Sequence, residues 1–181
     1  IAIIHNGIIE NYHVLKSELQ SRGYQFISDT DTEVLVHLFS DIQKKTGSSL
    51  EESVRLGLNE VIGAYAIVVI SKNDPNKLIA AKLSSPMVIG YGDDEFYVAS
   101  DGSPLVEYTR KVTYLEDGQL AILERGKPLQ LKSIADNTVH IAYIDELKYK
   151  LEELEKGGFE HFMLKEIFEQ PKAVYDSVRG R

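Results

Sequence analysis

Seven consecutive residues, Ala64-Tyr65-Ala66-Ile67-Val68-Val69-Ile70, are apolar or aromatic. The run is too evenly apolar for a strand with one wet face and predicts a strand covered on both sides, so the chain has to fold in layers. Upstream the period is helical. Asn11 is placed to cap a helix running to about Arg22, with Leu15 and Leu19 on one face and Gly23 as its stop. Tyr24–Ile27 reads as a short strand. A second helix spans about Asp31–Lys45 with Val34, Leu35, Leu38 and Ile42 as its stripe, and Ser49 caps a third through about Leu58. Downstream the pattern is a β-meander. Lys77–Lys82 returns after the turn at Asn73-Asp74-Pro75-Asn76, and Met87–Tyr91 with Glu95–Ala99 forms a hairpin. Val112–Leu115 with Leu120–Leu123 reads as a second hairpin, Arg125-Gly126-Lys127-Pro128 begins a third return, and Val139–Ile144 is a last strand. The expected class is α+β, with strands in antiparallel order and helices layered against them.

The remaining stretch differs in character. Asp145–Lys156 is strongly helical, Gly157-Gly158 breaks it, Phe159–Gln170 predicts another helix, and Pro171 stands where a following helix could begin. The division expected is a domain over 1–144 and a helical connector over 145–181. The chain opens inside an apolar run, Ile1-Ala2-Ile3-Ile4, as though a strand were already under way. It is therefore expected to be a piece of a longer polypeptide.

Charge and cysteine content narrow the chemistry. With 20 Lys+Arg against 28 Asp+Glu the formal net charge is −8, which disfavours nucleic acid and anionic membrane as partners. No apolar stretch reaches the ~18–20 residues of a membrane span and no signal peptide is visible, so the cytoplasm is the expected location. There is no cysteine, hence no disulfide, no thiolate metal site and no sulfur nucleophile within these residues.

Two segments could carry a reaction. In His5-Asn6-Gly7 an amide side chain sits next to a glycine N–H, the two donor types that stabilise an oxyanion. Locally, though, Asn-Gly favours a simple tight turn that breaks the opening strand. In Ser28-Asp29-Thr30-Asp31-Thr32-Glu33 the acids precede a helix, and N-capping is the plainer reading. A carboxylate aimed at a substrate ammonium is the functional one. Hard-cation ligation by Asp29, Asp31 and Glu33 ranks last, since the spacing lacks the glycine and closing glutamate of an EF-hand loop. The five histidines show no paired metal-ligand spacing, and His37 reads as a packed core residue.

The ordered set of segments says more than any one of them. His5-Asn6-Gly7-Ile8-Ile9-Glu10-Asn11-Tyr12, Ser28–Val34 and Gly63-Ala64-Tyr65-Ala66 closely resemble the class II glutamine amidotransferases. Ser84–Gly90, Ala99-Ser100-Asp101 and His161–Pro171 narrow the resemblance to the glutaminase part of the glutamine–fructose-6-phosphate aminotransferases (isomerising). The resemblance covers nearly the whole chain. It implies an N-terminal-nucleophile hydrolase-type sandwich, α/β/β/α with antiparallel sheets, here expected without its N-terminal part. It further implies hydrolysis of L-glutamine, with the ammonia passed to fructose 6-phosphate in a sugar-isomerase domain to give glucosamine 6-phosphate. Neither metal nor organic cofactor is implied, and the parent enzyme is expected to be a homodimer. Carried over by motif, Asn6 and the Gly7 N–H form the oxyanion hole, and Gly7 and Asp31 contact substrate, Asp31 at its α-amino group. The family's nucleophilic cysteine and its arginine–tryptophan segment are expected upstream of Ile1 and the sugar domain downstream of Arg181, so these residues alone are expected to be inactive. Another amidotransferase of the class, or a non-catalytic binding domain with the same fold, are the alternatives.

Overall fold

A computed structural model describes residues 1–147 and 158–179, which belong to two compact units, Ile1–Glu146 and Leu147–Arg181. In the first unit β1 (Ala2–Ile9) is followed by α1 (Tyr12–Ser21), α2 (Thr32–Thr46) and α3 (Leu50–Leu58). Then come β2 (Gly63–Ser71), β3 (Asp74–Leu83), β4 (Val88–Tyr91) and β5 (Phe96–Ala99), a 3₁₀ turn at Ser103–Leu105, and β6 (Lys111–Tyr114). β7 (Gln119–Glu124), β8 (Gln130–Ser133), β9 (Val139–His140) and β10 (Asp145–Glu146) complete it. The strands form a six-stranded sheet ordered β1-β2-β3-β7-β8-β9 and a four-stranded sheet ordered β10-β6-β4-β5, with antiparallel pairing throughout.

Alternation along the strands makes the two cores. Tyr65, Ile67, Val69, Ile79, Ala81, Leu120 and Ile122 turn to one side of the large sheet and meet Leu15, Leu19, Val34, Leu35, Phe39, Val54 and Leu58 from the helices. Ala66, Ala80, Ala121 and Leu123 turn to the other side and meet Met87, Ile89 and Leu115. The small side chains of that second set let the sheets approach closely. Each large apolar side chain so covered contributes roughly 1.5–3 kcal/mol. The run is thus covered on both faces over residues 65–69, with Ile70 exposed at its end, and the α+β sandwich of antiparallel sheets is the fold. Gly90 turns outward from the small sheet toward Leu105 and Thr109, so the 3₁₀ turn covers part of that face.

Several local expectations fail, each for a visible reason. Asn6-Gly7 does not turn: β1 runs straight through it, with Asn6 opposite Ala66 and Gly7 opposite Tyr65. Tyr24–Ile27 forms no strand; Tyr24 and Phe26 instead pack their rings on His37, at 5.2 and 4.6 Å. Asn11 makes no side-chain cap, because its amide is engaged by Glu60 O (2.8 Å) and Ile62 N (3.0 Å). Residues 112–115 and 120–123 are not a hairpin but a crossing from the small sheet to the large one. Asp117 pins that crossing to the end of β3, accepting the Ser84 N–H at 2.7 Å and the Lys82 ammonium at 2.6 Å. The strand expected at 139–144 is two residues long, and Asp145–Glu146 pairs with β6 rather than opening a helix. The rest of the helix expected over 145–156 lies outside the described residues.

In the second unit α4 (Phe162–Arg179) carries Pro171 in its interior instead of starting a new helix there. The ring deprives that turn of one N–H donor, and the helix continues on either side. No helix among the described residues is long and apolar enough to cross a membrane.

Two glycines set the β1–β2 contact. Gly7 and Gly63 have φ of +139° and +140°, and a Cβ on either would collide with the facing carbonyl oxygen, of Ala64 and of Ile8 respectively. Gly7→Ala is expected to cost about 2–4 kcal/mol through strain and overlap, read as a lower urea midpoint. Gly57 brings α3 against α2: an added Cβ would lie 2.6 Å from the Phe39 ring, which is fully buried. Gly57→Ala should therefore destabilise by about 1–3 kcal/mol rather than gain the ~1 kcal/mol of helix propensity, checked by the same measurement.

Candidate functional site

The site is organised along one edge of one strand. β1 ends the large sheet, so among the described residues its outer side has no neighbouring strand. Alternation assigns its faces. Ile3, His5 and Ile9 turn toward the helices, whereas Ala2, Ile4, Asn6 and Ile8 lie on the opposite, exposed face. Asn6 shares that face with Ala66, which belongs to the core between the sheets. Its side-chain amide has no hydrogen-bond partner among the described residues.

The backbone alternates in the same way. The Glu10 N–H returns to Ile62 O at 2.8 Å, while the Ile9 N–H leaves the ladder for the Asp31 Oδ2, also at 2.8 Å. In an antiparallel pair, N–H groups two residues apart point to the same side. The Gly7 N–H therefore faces the free edge, on the Asp31 side, roughly 7 Å from that of Ile9 at the usual rise per residue.

Asp31 occupies the residue before α2 but makes no side-chain cap. Its carboxylate is spent on β1 instead, which removes the plain capping reading. The side chain is a quarter exposed, and two protein donors reach it: the Ile9 N–H at Oδ2, and the Thr32 hydroxyl at Oδ1 over a long 3.5 Å. The one ion-pair contact among the described residues is His5 Nδ1 at 4.0 Å, and burial pushes the His5 pKa down, outweighing the raising effect of Asp31. Among the described residues Asp31 has no Lys or Arg partner.

Glu33 shapes the loop that presents Asp31. Its carboxylate accepts the Ile27 N–H (2.8 Å), the Ser28 N–H (2.7 Å) and the Ser28 hydroxyl (2.7 Å). The Ser28 hydroxyl and these two amides hold its pKa down to about 2. His37 Nε2 adds a contact at 3.4 Å. Because Glu33 is committed to this lacing, the three acids do not converge. Among the described residues no group of three or more His, Asp or Glu side chains is placed to hold a metal ion. Sequence reasoning missed Glu33 as a brace, although the spacing of Thr30 and Glu33 is that of a capping box. It also missed Thr32 and His5, whose only signal was their adjacency to the two motifs.

The Gly7 N–H and the Asp31 carboxylate thus lie along the free edge of β1, with the Asn6 side chain next to Gly7 on the exposed face of the strand.

In sequence and in fold the chain is similar to glutamine amidotransferases. Residues 1–107 match the family described as "Glutamine amidotransferase domain". Over 181 residues the chain is 54% identical to the glutamine–fructose-6-phosphate aminotransferase [isomerizing] of Bacteroides thetaiotaomicron, covering all of this chain and 29% of that protein. The enzymes of the same name from Chlorobaculum tepidum and Pyrococcus horikoshii are 53% and 45% identical, with 100% and 99% of this chain covered and 29% and 30% of theirs. The chain thus spans under a third of the length of these curated relatives. Among solved structures, glutamine phosphoribosylpyrophosphate amidotransferase from B. subtilis, complexed with ADP and GMP, superposes with a TM-score of 0.63. It is 28% identical, over 75% of this chain and 29% of that one. A second solved structure, of the allosteric regulatory enzyme of purine biosynthesis, gives 0.62 at 29% identity over the same shares. By the match over residues 1–107, and with a fold shared with these amidotransferases, the chain belongs to the glutamine amidotransferase domain family.

Proposed function

We propose that the β1 edge binds L-glutamine and supports hydrolysis of its side-chain amide. The α-ammonium rests on Asp31. The amide carbonyl lies beside Gly7 and Asn6, whose N–H and Nδ2 donate to the oxygen as it becomes negative in the tetrahedral intermediate. Attack needs a nucleophile, and none of the 181 residues is a cysteine, so the thiol is supplied by the intact protein from outside them. The thiol adds to the amide carbon, its proton passes to the amide nitrogen so that the C–N bond breaks and ammonia leaves, and water then hydrolyses the resulting thioester to glutamate and regenerates the thiol. The charge that develops is met by amide hydrogens, so the step calls for no metal or organic cofactor. By similarity to the aminotransferases, the ammonia is passed to fructose 6-phosphate, yielding glucosamine 6-phosphate in the cytoplasm.

The observation that carries this reading is the carboxylate of Asp31: at the capping position, yet turned to the strand edge and, among the described residues, without a Lys or Arg partner. In the intact protein Asn6→Ala should lower kcat about 10²–10³-fold, the size expected for losing one oxyanion donor. Asp31→Asn should instead act mainly on the KM for glutamine, because an ammonium is bound alike in ground and transition states. Steady-state glutaminase kinetics separate the two. Unchanged turnover in the first variant returns Asn6 to a structural role, and an unchanged KM in the second does the same for Asp31.

A further inference from the structure

His5 is the one side chain near this edge whose chemistry the reaction leaves unused. It is 2% exposed, its Nδ1 lies 3.0 Å from the Thr32 hydroxyl, and its Nε2 is buried with no hydrogen-bond partner. The position of its proton follows from donor counting. A carboxylate only accepts, so in the contact between Thr32 and Asp31 the hydroxyl donates. A hydroxyl has one hydrogen, so toward His5 the same oxygen accepts. With the Thr32 hydrogen given to Asp31, Nδ1 carries the imidazole proton and Nε2 is the bare nitrogen. A second proton, on Nε2, would create a buried N–H with nothing to receive it, and burial accordingly lowers the His5 pKa.

We propose that His5 is a positioning residue for the ammonium subsite: its neutral, Nδ1-protonated imidazole orients Asp31 through Thr32, and its protonation displaces the bound ammonium by supplying Asp31 with an internal cation. The proposal rests on the reading of Asp31 as the ammonium acceptor. The path is short. His5 Nδ1–H donates to Thr32 Oγ1, Thr32 donates to Asp31 Oδ1, and the Ile9 N–H holds Oδ2. Both carboxylate oxygens are thereby fixed from the protein side, and their remaining lone pairs face the edge. An imidazolium would stand 4.0 Å from Oδ1 and compete with a ligand ammonium for the same charge. Asp31, from the residue preceding α2, is the one charged group among the described residues that acts on His5; across the sheet β2 places the uncharged Ile67 opposite.

The test is binding of L-glutamate to the intact protein by calorimetry between about pH 7.5 and pH 5.5, where the ligand's own ionisation is constant. L-glutamate carries the same α-ammonium and undergoes no reaction. In the unaltered protein the Kd should rise on acidification. In His5→Asn, whose amide can still donate to Thr32 but does not titrate, the Kd near neutrality should stay within about 3-fold and the acid rise should flatten. Thr32→Val should raise the Kd about 3- to 10-fold at every pH, and Thr32→Ser should restore it, the size expected for one hydrogen bond. An acid rise that persists in His5→Asn overturns the proposal, as does a Thr32→Val variant that binds normally. Should His5→Asn fail to fold, the imidazole ¹⁵N shifts of the unaltered protein decide instead. Protonated Nδ1 with bare Nε2 supports the proposal, and the opposite tautomer overturns it. Asp31→Asn serves as the separate arm: if it binds L-glutamate as tightly as the unaltered protein, the ammonium reading itself fails, whereas weak binding there with unaffected His5 variants removes only the positioning role.

Discussion

One hydrogen bond joins the two halves of the site. The Ile9 N–H, at the end of an edge strand, would otherwise be an open donor facing solvent. Asp31 receives it at 2.8 Å, and the start of α2 is thereby fastened to β1. The bond does two things at once. It satisfies a backbone group that the sheet leaves unpaired, and it brings a negative charge to the row of donors that Gly7 continues. Had Asp31 capped its own helix, the carboxylate would have turned inward to the α2 amides and the strand edge would carry no anion.

That freedom depends on a division of labour among neighbouring acids. Glu33 stabilises the loop before α2 by accepting two backbone amides and a hydroxyl, so Asp31 is not needed for local structure. The cores beneath supply rigidity. Tyr65 and Ile67, on the strand paired with β1, are packed under the helices, while Ala66 on the other face opens toward the small sheet beside Asn6. The alternation that covers β2 on both faces along most of its length therefore also sets which way Asn6 and His5 point.

How far sequence reasoning reached depended on the range of the interaction. Helices α1 to α3, the buried strand β2 and the β3 return were legible because apolar spacing reports burial directly. The Asn6-Gly7 pair was misread locally as a turn, since the same dipeptide serves a tight turn and a straight strand with a close carbonyl contact. Only the partner strand distinguishes them: the Ala64 carbonyl, fifty-odd residues away, demands the glycine. Asp31 was likewise ambiguous until Ile9 came into view, because a capping acid and a substrate-binding acid occupy the same place before a helix. The motif order pointed to a family, which local chemistry alone could not do. Residues 112–123 went wrong for a related reason. Their turn chemistry is that of a hairpin, but Asp117 binds Lys82 and Ser84 at the end of β3, and the chain changes sheets.

That change of sheets has a kinetic consequence. β3 and β7 lie side by side in the large sheet, with Ala80 opposite Ala121, yet the whole excursion through β4, β5 and β6 separates them. The large sheet cannot close until about forty residues have been looped out and returned, an entropic toll that falls before the β3–β7 rungs can form. Non-local pairings of this kind slow the conformational search, and they tie assembly of the small sheet to completion of the large one. The two layers are accordingly expected to consolidate together, with the Asp117 clasp closing the loop that makes both possible.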